Sequence, residues 1–321
     1  MFARAPRPAL ALLLLLAPAL LLTSCSLKRM AVKSVADALS SGPDVYGTDD
    51  DPDLVRDALP FGLKLMESLL TMVPDHEGLL VTACRGFTSY SNAFVQSEGD
   101  VLVNTDYVKA TGYHERALKL YLRARGYGLR ALEVRYKGIG EQLRQDPVAA
   151  AARIQKRDVA ALYWTGAAWG SAIALGKDRP ELLADLPAIR ALMDRGLVLD
   201  EGYEGGAFHE ALIVLDALPE VMGGSEAKAR AHFERAVALS HDTKASPFVT
   251  LAQTVSVLKQ DRKEFESLLD KALAVDPEKA PADRLVNLVM QRKAHALLEH
   301  EDEFFVEDAT APSDTTGTQE K

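Results

Sequence analysis

Apolar residues recur at steps of three and four along most of the chain. Leu59, Leu63, Met66, Leu70 and Val73 fall on one side of a helix that stops at Pro74-Asp75, and Leu80, Cys84, Phe87, Ser91 and Phe94 repeat the spacing. Joined by the few residues around Pro74 to Glu77, the two predict an antiparallel helical hairpin. The scheme returns downstream. Pro187 opens a helix with Ile189, Leu192, Met193 and Gly196 on one side, ending at Leu199-Asp200, and Phe208, Leu212 and Leu215 form its partner. Ala229, Phe233, Ala236 and Leu239 follow, with Ser225 as the predicted cap. Ser246-Pro247 then opens a helix through Leu251, Val255 and Leu258. Phe265, Leu268, Ala272 and Val275 complete the series before Asp276-Pro277. Residues 96–104 carry no clear helical pattern.

The phrases MESLLTMVPD, MDRGLVLDEG, FERAVALSHD and LDKALAVDPE share one design, and the steps from Leu199 to Leu239 to Val275 are 40 and 36 residues. Two helices per unit at this spacing resemble tetratricopeptide-type (TPR) repeats, whose hairpins bury their apolar stripes only by stacking on neighbours. The expected fold is therefore all-α, helical hairpins stacked as a degenerate TPR-like array, irregular enough to close on itself. The competing reading is an unrelated helical bundle. The abundance of Ala and Leu, with aromatics at only 7%, also favours helices. A net charge of -9 without a basic stripe argues against nucleic acid as a partner.

The most distinctive stretch is Asp158 to Leu175, DVAALYWTGAAWGSAIAL. Asp158 is placed to cap its first turn. Leu162, Trp169 and Ile173 share one face, and Gly166, Gly170 and Ala174 make a small-residue stripe on a neighbouring one. Each interior glycine costs about 1 kcal/mol relative to alanine, so close approach of another helix or a ligand must offset it. Packing in the core accounts for Tyr163, Trp164 and Trp169, both tryptophans of the chain among them. The sharper reading is the wall of an apolar ligand cavity that Phe208 and His209 complete.

At the amino-terminal end Arg4 and Arg7 precede the apolar run Leu10 to Leu22 and then Thr23-Ser24-Cys25. Thirteen residues at about 1.5 Å each do not cross a hydrocarbon core of about 30 Å, but they suit a secretory signal. The order Leu22-Thr23-Ser24-Cys25 resembles a bacterial lipobox, which implies cleavage before Cys25 and lipidation of its sulfur. Ser26 in place of an aspartate implies a periplasm-facing outer-membrane location. Residues 40–53 read as a loop rich in Gly, Pro and acidic residues, and the end of the chain as a disordered tail. The expected organisation is a signal peptide over 1–24, a lipidated tether and linker over 25–52, a helical domain over 53–305 and the tail over 306–321.

Chemistry is sparse. His76-Glu77, His114-Glu115 and His209-Glu210 lack the second histidine four residues on that a zinc protease helix needs, because Leu80, Leu118 and Ile213 stand there. Gly126 to Ala131 matches a dinucleotide fingerprint in letters but follows a helical run instead of a strand. Cys84 sits on an apolar face, where a thiol is inert. The acidic residues Asp200, Glu204, Glu210 and Asp216 read as a solvated face. No enzyme activity, metal or cofactor is implied.

The segments DALPFGLKLMESLLTMVPDHEGLLVTACRGFTSYSNAFV, ARGYGLRALE, DVAALYWTGAAWG, DLPAIRALMDRGLVLDEGYEGGAFHEAL, GGSEAKARAHFERAVALS and DRKEFESLLDKALAVDP occur in that order over residues 53–305. They resemble the TatT family, the lipoprotein T component associated with TRAP transporters. The resemblance implies a non-enzymatic periplasmic accessory protein that docks the substrate-binding P component and forms homo-oligomers, with a trimer as candidate state. It also implies an apolar passage for a hydrophobic or organic-acid ligand. A general scaffold for envelope assembly would use the same repeats without a cavity.

Overall fold

The structure is a computed structural model that describes residues 28–306. The expected signal peptide, Cys25 and the tail beyond residue 306 lie outside the described residues. Within them the fold is all-α, with no strand.

Helix α1 spans residues 28–41. It is followed by α2 (Pro52–Met72), α3 (Glu77–Tyr90), α4 (Ser97–Leu102), α5 (Tyr107–Arg135), α6 (Ile139–Gln145), α7 (Pro147–Ala152) and α8 (Val159–Leu175). Then come α9 (Pro180–Leu183), α10 (Leu186–Asp200), α11 (Ala207–Asp216), α12 (Glu226–Leu239), α13 (Ser246–Leu251), α14 (Val257–Lys259), α15 (Arg262–Leu273) and α16 (Arg284–Glu299). The stretch read as tether and linker thus contains a helix, and Ala36 of that helix is fully buried.

Local signals account for the hairpins. The Asp51 carboxylate accepts from the amides of Asp53 and Leu54, Pro52 needs no amide partner in the first turn, and α2 ends ahead of Pro74. His76 caps α3 through Nδ1, which accepts from the Leu79 amide at 3.1 Å, while its Nε2 meets Asp37 of α1 at 2.8 Å. Each helix then packs on the next: α2 on α3, α3 on α5, α5 on α8, α8 on α10, α10 on α11, α11 on α12 and α15 on α16. Two apolar cores result, one from Ala36 to Leu215 and one from Ile213 to Phe305. Leu212 and Ile213, about 100° apart on α11, are both fully buried and serve one core each. The last long helix returns to the beginning: the Leu285 amide donates to the Gly47 carbonyl at 3.0 Å, and Arg292 of α16 pairs with Asp53 of α2 at 3.2 Å.

Three local expectations need correction. Ser225 and Asp158 stand at helix starts but cap neither with the side chain. Asp158 is instead buried, accepting from the Tyr136 hydroxyl and pairing with Arg135 at 2.9 Å, because folding brings those donors closer to it than its own amides. The third departure is register. A π-helical turn at Ser91–Gln96 adds the fully buried Val95 to the face on which Phe94 was expected, and Phe94 stays partly buried against the same core. A second, at Ala252–Ser256, leaves Leu258 62% exposed. One extra residue in a turn rotates the remainder of the helix by about 100°, which at the second turn takes Leu258 off the packed face.

Candidate ligand and partner surface

The small-residue stripe of α8 meets a helix. A Cβ on Gly166 would lie 2.2 Å from the Met193 methyl of α10, and one on Gly128 of α5 would lie 2.3 Å from the Thr165 hydroxyl. Gly170 has ordinary contact with Ile189, and Ala174 is exposed. These close crossings fix α8 between α5 and α10, and so fix where its aromatic residues point.

Tyr163 and Trp164 form an aromatic cluster with Tyr203, from the turn after α10, and with Phe208 of α11. Ring centroids are 5.0 Å apart for Tyr163 and Trp164, 5.4 Å for Tyr163 and Tyr203, and 5.3 Å for Tyr163 and Phe208. Phe208 is fully buried at the base, while the other three are half-buried. Arg85 of α3 lies over the Trp164 ring at 5.5 Å and is held by Asp44 at 2.6 Å. Burial, with the charges of Glu210 and Glu204 adding to it, pushes the Tyr163 hydroxyl up, so it is a neutral donor at physiological pH. The turn that delivers Tyr203 and Phe208 carries positive φ at Glu204 (44°), Gly205 (64°) and Gly206 (94°). Gly196 lets Phe208 sit against α10, since a Cβ there would fall 2.0 Å from the ring.

Trp169 and His209 point elsewhere. Trp169 trails Tyr163 by six residues, about 240° around the helix, and is fully buried. Its Nε1 donates to Asp185 at 3.0 Å, and the guanidinium groups of Arg125 and Arg144 lie 5.2 and 5.7 Å from its ring. His209 faces α12. Its Nδ1 is 2.7 Å from Nδ1 of His232, so one of the two carries the hydrogen and the other accepts it. Its Nε2 meets Glu201 at 3.1 Å, while His232 Nε2 lies 3.4 Å from Asp216, which Arg190 pairs at 2.7 Å. Burial holds both imidazoles below the ordinary histidine range. Hydrogen bonds from Arg235 and His209 hold the Glu201 carboxyl at about 2.

Of the five residues singled out, the structure therefore unites Tyr163, Trp164 and Phe208, and assigns Trp169 and His209 to two other neighbourhoods. Arg85, Tyr203 and His232 were not singled out. Tyr203 stands within the run DEGYEGGAFHEAL, but nothing in the spacing of Arg85 or His232 announces their partners. Two shallow depressions, of about 170 and 440 Å³, are lined by Gln142 to Arg153 and by Lys263 to Ala274 and involve none of these residues. Among the described residues no three His, Cys, Asp or Glu side chains converge as a metal site. Gly126 to Ala131 lies inside α5, and burial pushes the Cys84 thiol up to about 12.

Comparison with known proteins adds identity to this geometry. A protein of Treponema pallidum (strain Nichols), described only as uncharacterized, is 32% identical over 312 residues, 91% of this chain and 96% of its own. The family model of the TRAP transporter T-component matches residues 48–305, which takes in the second core, all of the first but its contributions from before residue 48, the aromatic cluster and the histidine pair. The chain belongs to the TRAP transporter T-component family.

Proposed function

We propose that this protein is a lipid-anchored, periplasm-facing accessory of a TRAP transport system that docks the substrate-binding P component. The reading includes relay of a hydrophobic or organic-acid ligand past Tyr163, Trp164, Tyr203 and Phe208. The hairpins act as a degenerate TPR-like array whose inner surface receives the partner, the lipid on Cys25 keeps the body at the outer membrane, and the protein works as a homo-oligomer without catalysis of its own. The family match over residues 48–305 carries this reading. The aromatic cluster supports it, because half-buried rings with neutral hydroxyls and one guanidinium suit a ligand with an apolar body and an acidic head. Capture of solute-binding protein from periplasm by the immobilised mature protein is the test. Recovery of none, while several envelope-assembly proteins are retained, would replace this reading with the scaffold one.

A further inference from the structure

Helix α1 combines features that a tether does not need. Residues 28–31 are exposed all round, so its first turn stands clear of the body. That turn and the next carry Lys28, Arg29 and Lys33 and no acidic residue before Asp37, in a chain whose net charge is -9. Beside these cations Met30, Val35 and Leu39 are 61%, 48% and 39% exposed. The other side of the helix is seated on the body: Ala36 is fully buried, Val32 packs against the first core, and Asp37 meets His76, the cap of α3, at 2.8 Å. The helix is therefore seated on the body through its second half, while its first turns overhang with their cations exposed and carry Met30 and Val35 on the side away from Ala36.

Covalent geometry sets where that flank goes. Three residue steps separate Cys25 from Lys28, and at about 3.5 Å per step they span at most about 10 Å. A headgroup layer is about 5–8 Å thick on each side of the hydrocarbon. If Cys25 carries the acyl chains, the first turn of α1 is confined to the headgroup layer or the few ångströms above it, where cations and exposed apolar side chains gain from contact and a solvated linker would not.

Resting on the lipid-anchor reading, we infer that α1 is an interfacial helix that binds an anionic lipid surface and, with the acyl chains, holds the body in one orientation on the membrane. The acyl chains supply attachment. Lys28, Arg29 and Lys33 supply attraction to negative headgroups, and Met30 and Val35 enter the interface. Because α1 is docked on α3, the corner where α2 meets α3 faces the bilayer.

The test uses full-length lipidated protein in phosphatidylcholine vesicles with or without phosphatidylglycerol, carrying a fluorophore on Met30→Cys, Val35→Cys or, as control, Val221→Cys at a site 93% exposed. Cys84 is buried and stays unlabelled. Doxyl lipids are expected to quench the labels at 30 and 35 at least about threefold more than the label at 221 in anionic vesicles. Each basic residue near such a surface multiplies occupancy about fivefold, so the Lys28→Gln, Arg29→Gln, Lys33→Gln variant is expected to lose that excess quenching while still floating with the vesicles. Protein that is acylated and floats, but whose labels at 30 and 35 are quenched no more than at 221, or equally in neutral and anionic vesicles, overturns the inference and leaves the anchor standing. Protein with no acyl mass on Cys25 and no flotation overturns the anchor reading, and the inference falls with it.

Discussion

The two tryptophans of α8 lie five residues apart and have opposite fates. Trp169 is fully buried, its indole nitrogen is satisfied by Asp185, and two guanidinium groups flank its ring. Trp164 is half-buried in a cluster of rings open on one side. An aromatic whose surface and polar atom are both used up inside the fold is architecture. One that keeps part of its ring and a neighbouring cation at the surface is available to a second molecule. Residue type does not separate the two roles; angular position on one helix does.

Substitutions can break or sharpen this contrast. Trp169→Ala is expected to cost about 3–5 kcal/mol of stability, read as a lower denaturant midpoint at unchanged slope, because it leaves a large cavity and removes one of the donors to Asp185, which keeps Arg144. A loss under about 1 kcal/mol would mean that Trp169 is no more structural than Trp164. Gly196→Ala forces a methyl against the Phe208 ring and should cost about 1–3 kcal/mol by the same measurement, moving the floor of the cluster without touching its exposed rings.

Trp164→Ala should leave the fold intact to within about 1 kcal/mol yet weaken capture of a solute-binding protein or of an apolar acid by about tenfold, a loss of about 1.4 kcal/mol. Equal effects of Trp164→Ala and Trp169→Ala on binding at matched folded fraction would erase the distinction.

The smallest expected effect is a pH dependence in the third neighbourhood. Burial depresses both His209 and His232 from 6.5, so the fold favours their neutral forms. Their contribution is complete above the unfolded value and is lost as pH falls from about 6.5 through the folded values, where the unfolded chain binds more protons. Thermal midpoints should decline below about pH 6.5, and His232→Gln should flatten that decline, whereas Trp164→Ala should leave it unchanged.

Much of the fold was legible because helix faces follow from spacing alone. Leu59, Leu63, Met66 and Leu70, and later Phe265, Leu268 and Ala272, are all buried as their steps of three and four require. Register failed where a π-helical turn intervened, as at Leu258, since nothing in the order of residue types marks an extra residue in a turn. Capping by Asp158 failed because its carboxylate also has competitors from another helix, Arg135 and Tyr136, and nothing in the structure explains the idle hydroxyl of Ser225. The candidate site was half legible. Tyr163, Trp164 and Phe208 do converge, but Trp169 and His209 lie about 240° and 100° around their helices from the cluster residues they were grouped with.

Helix content, the pairing of neighbours and the apolar face of each element came from local pattern, because a 3.6-residue period and a proline or cap act over a few residues. Folding in three dimensions settled which helix covers each glycine, which carboxylate claims each arginine, and that α16 closes back onto α2. Those contacts join residues as much as about 240 positions apart, as between Arg292 and Asp53, and they depend on the summed geometry of all the helices between, which no short window of sequence contains.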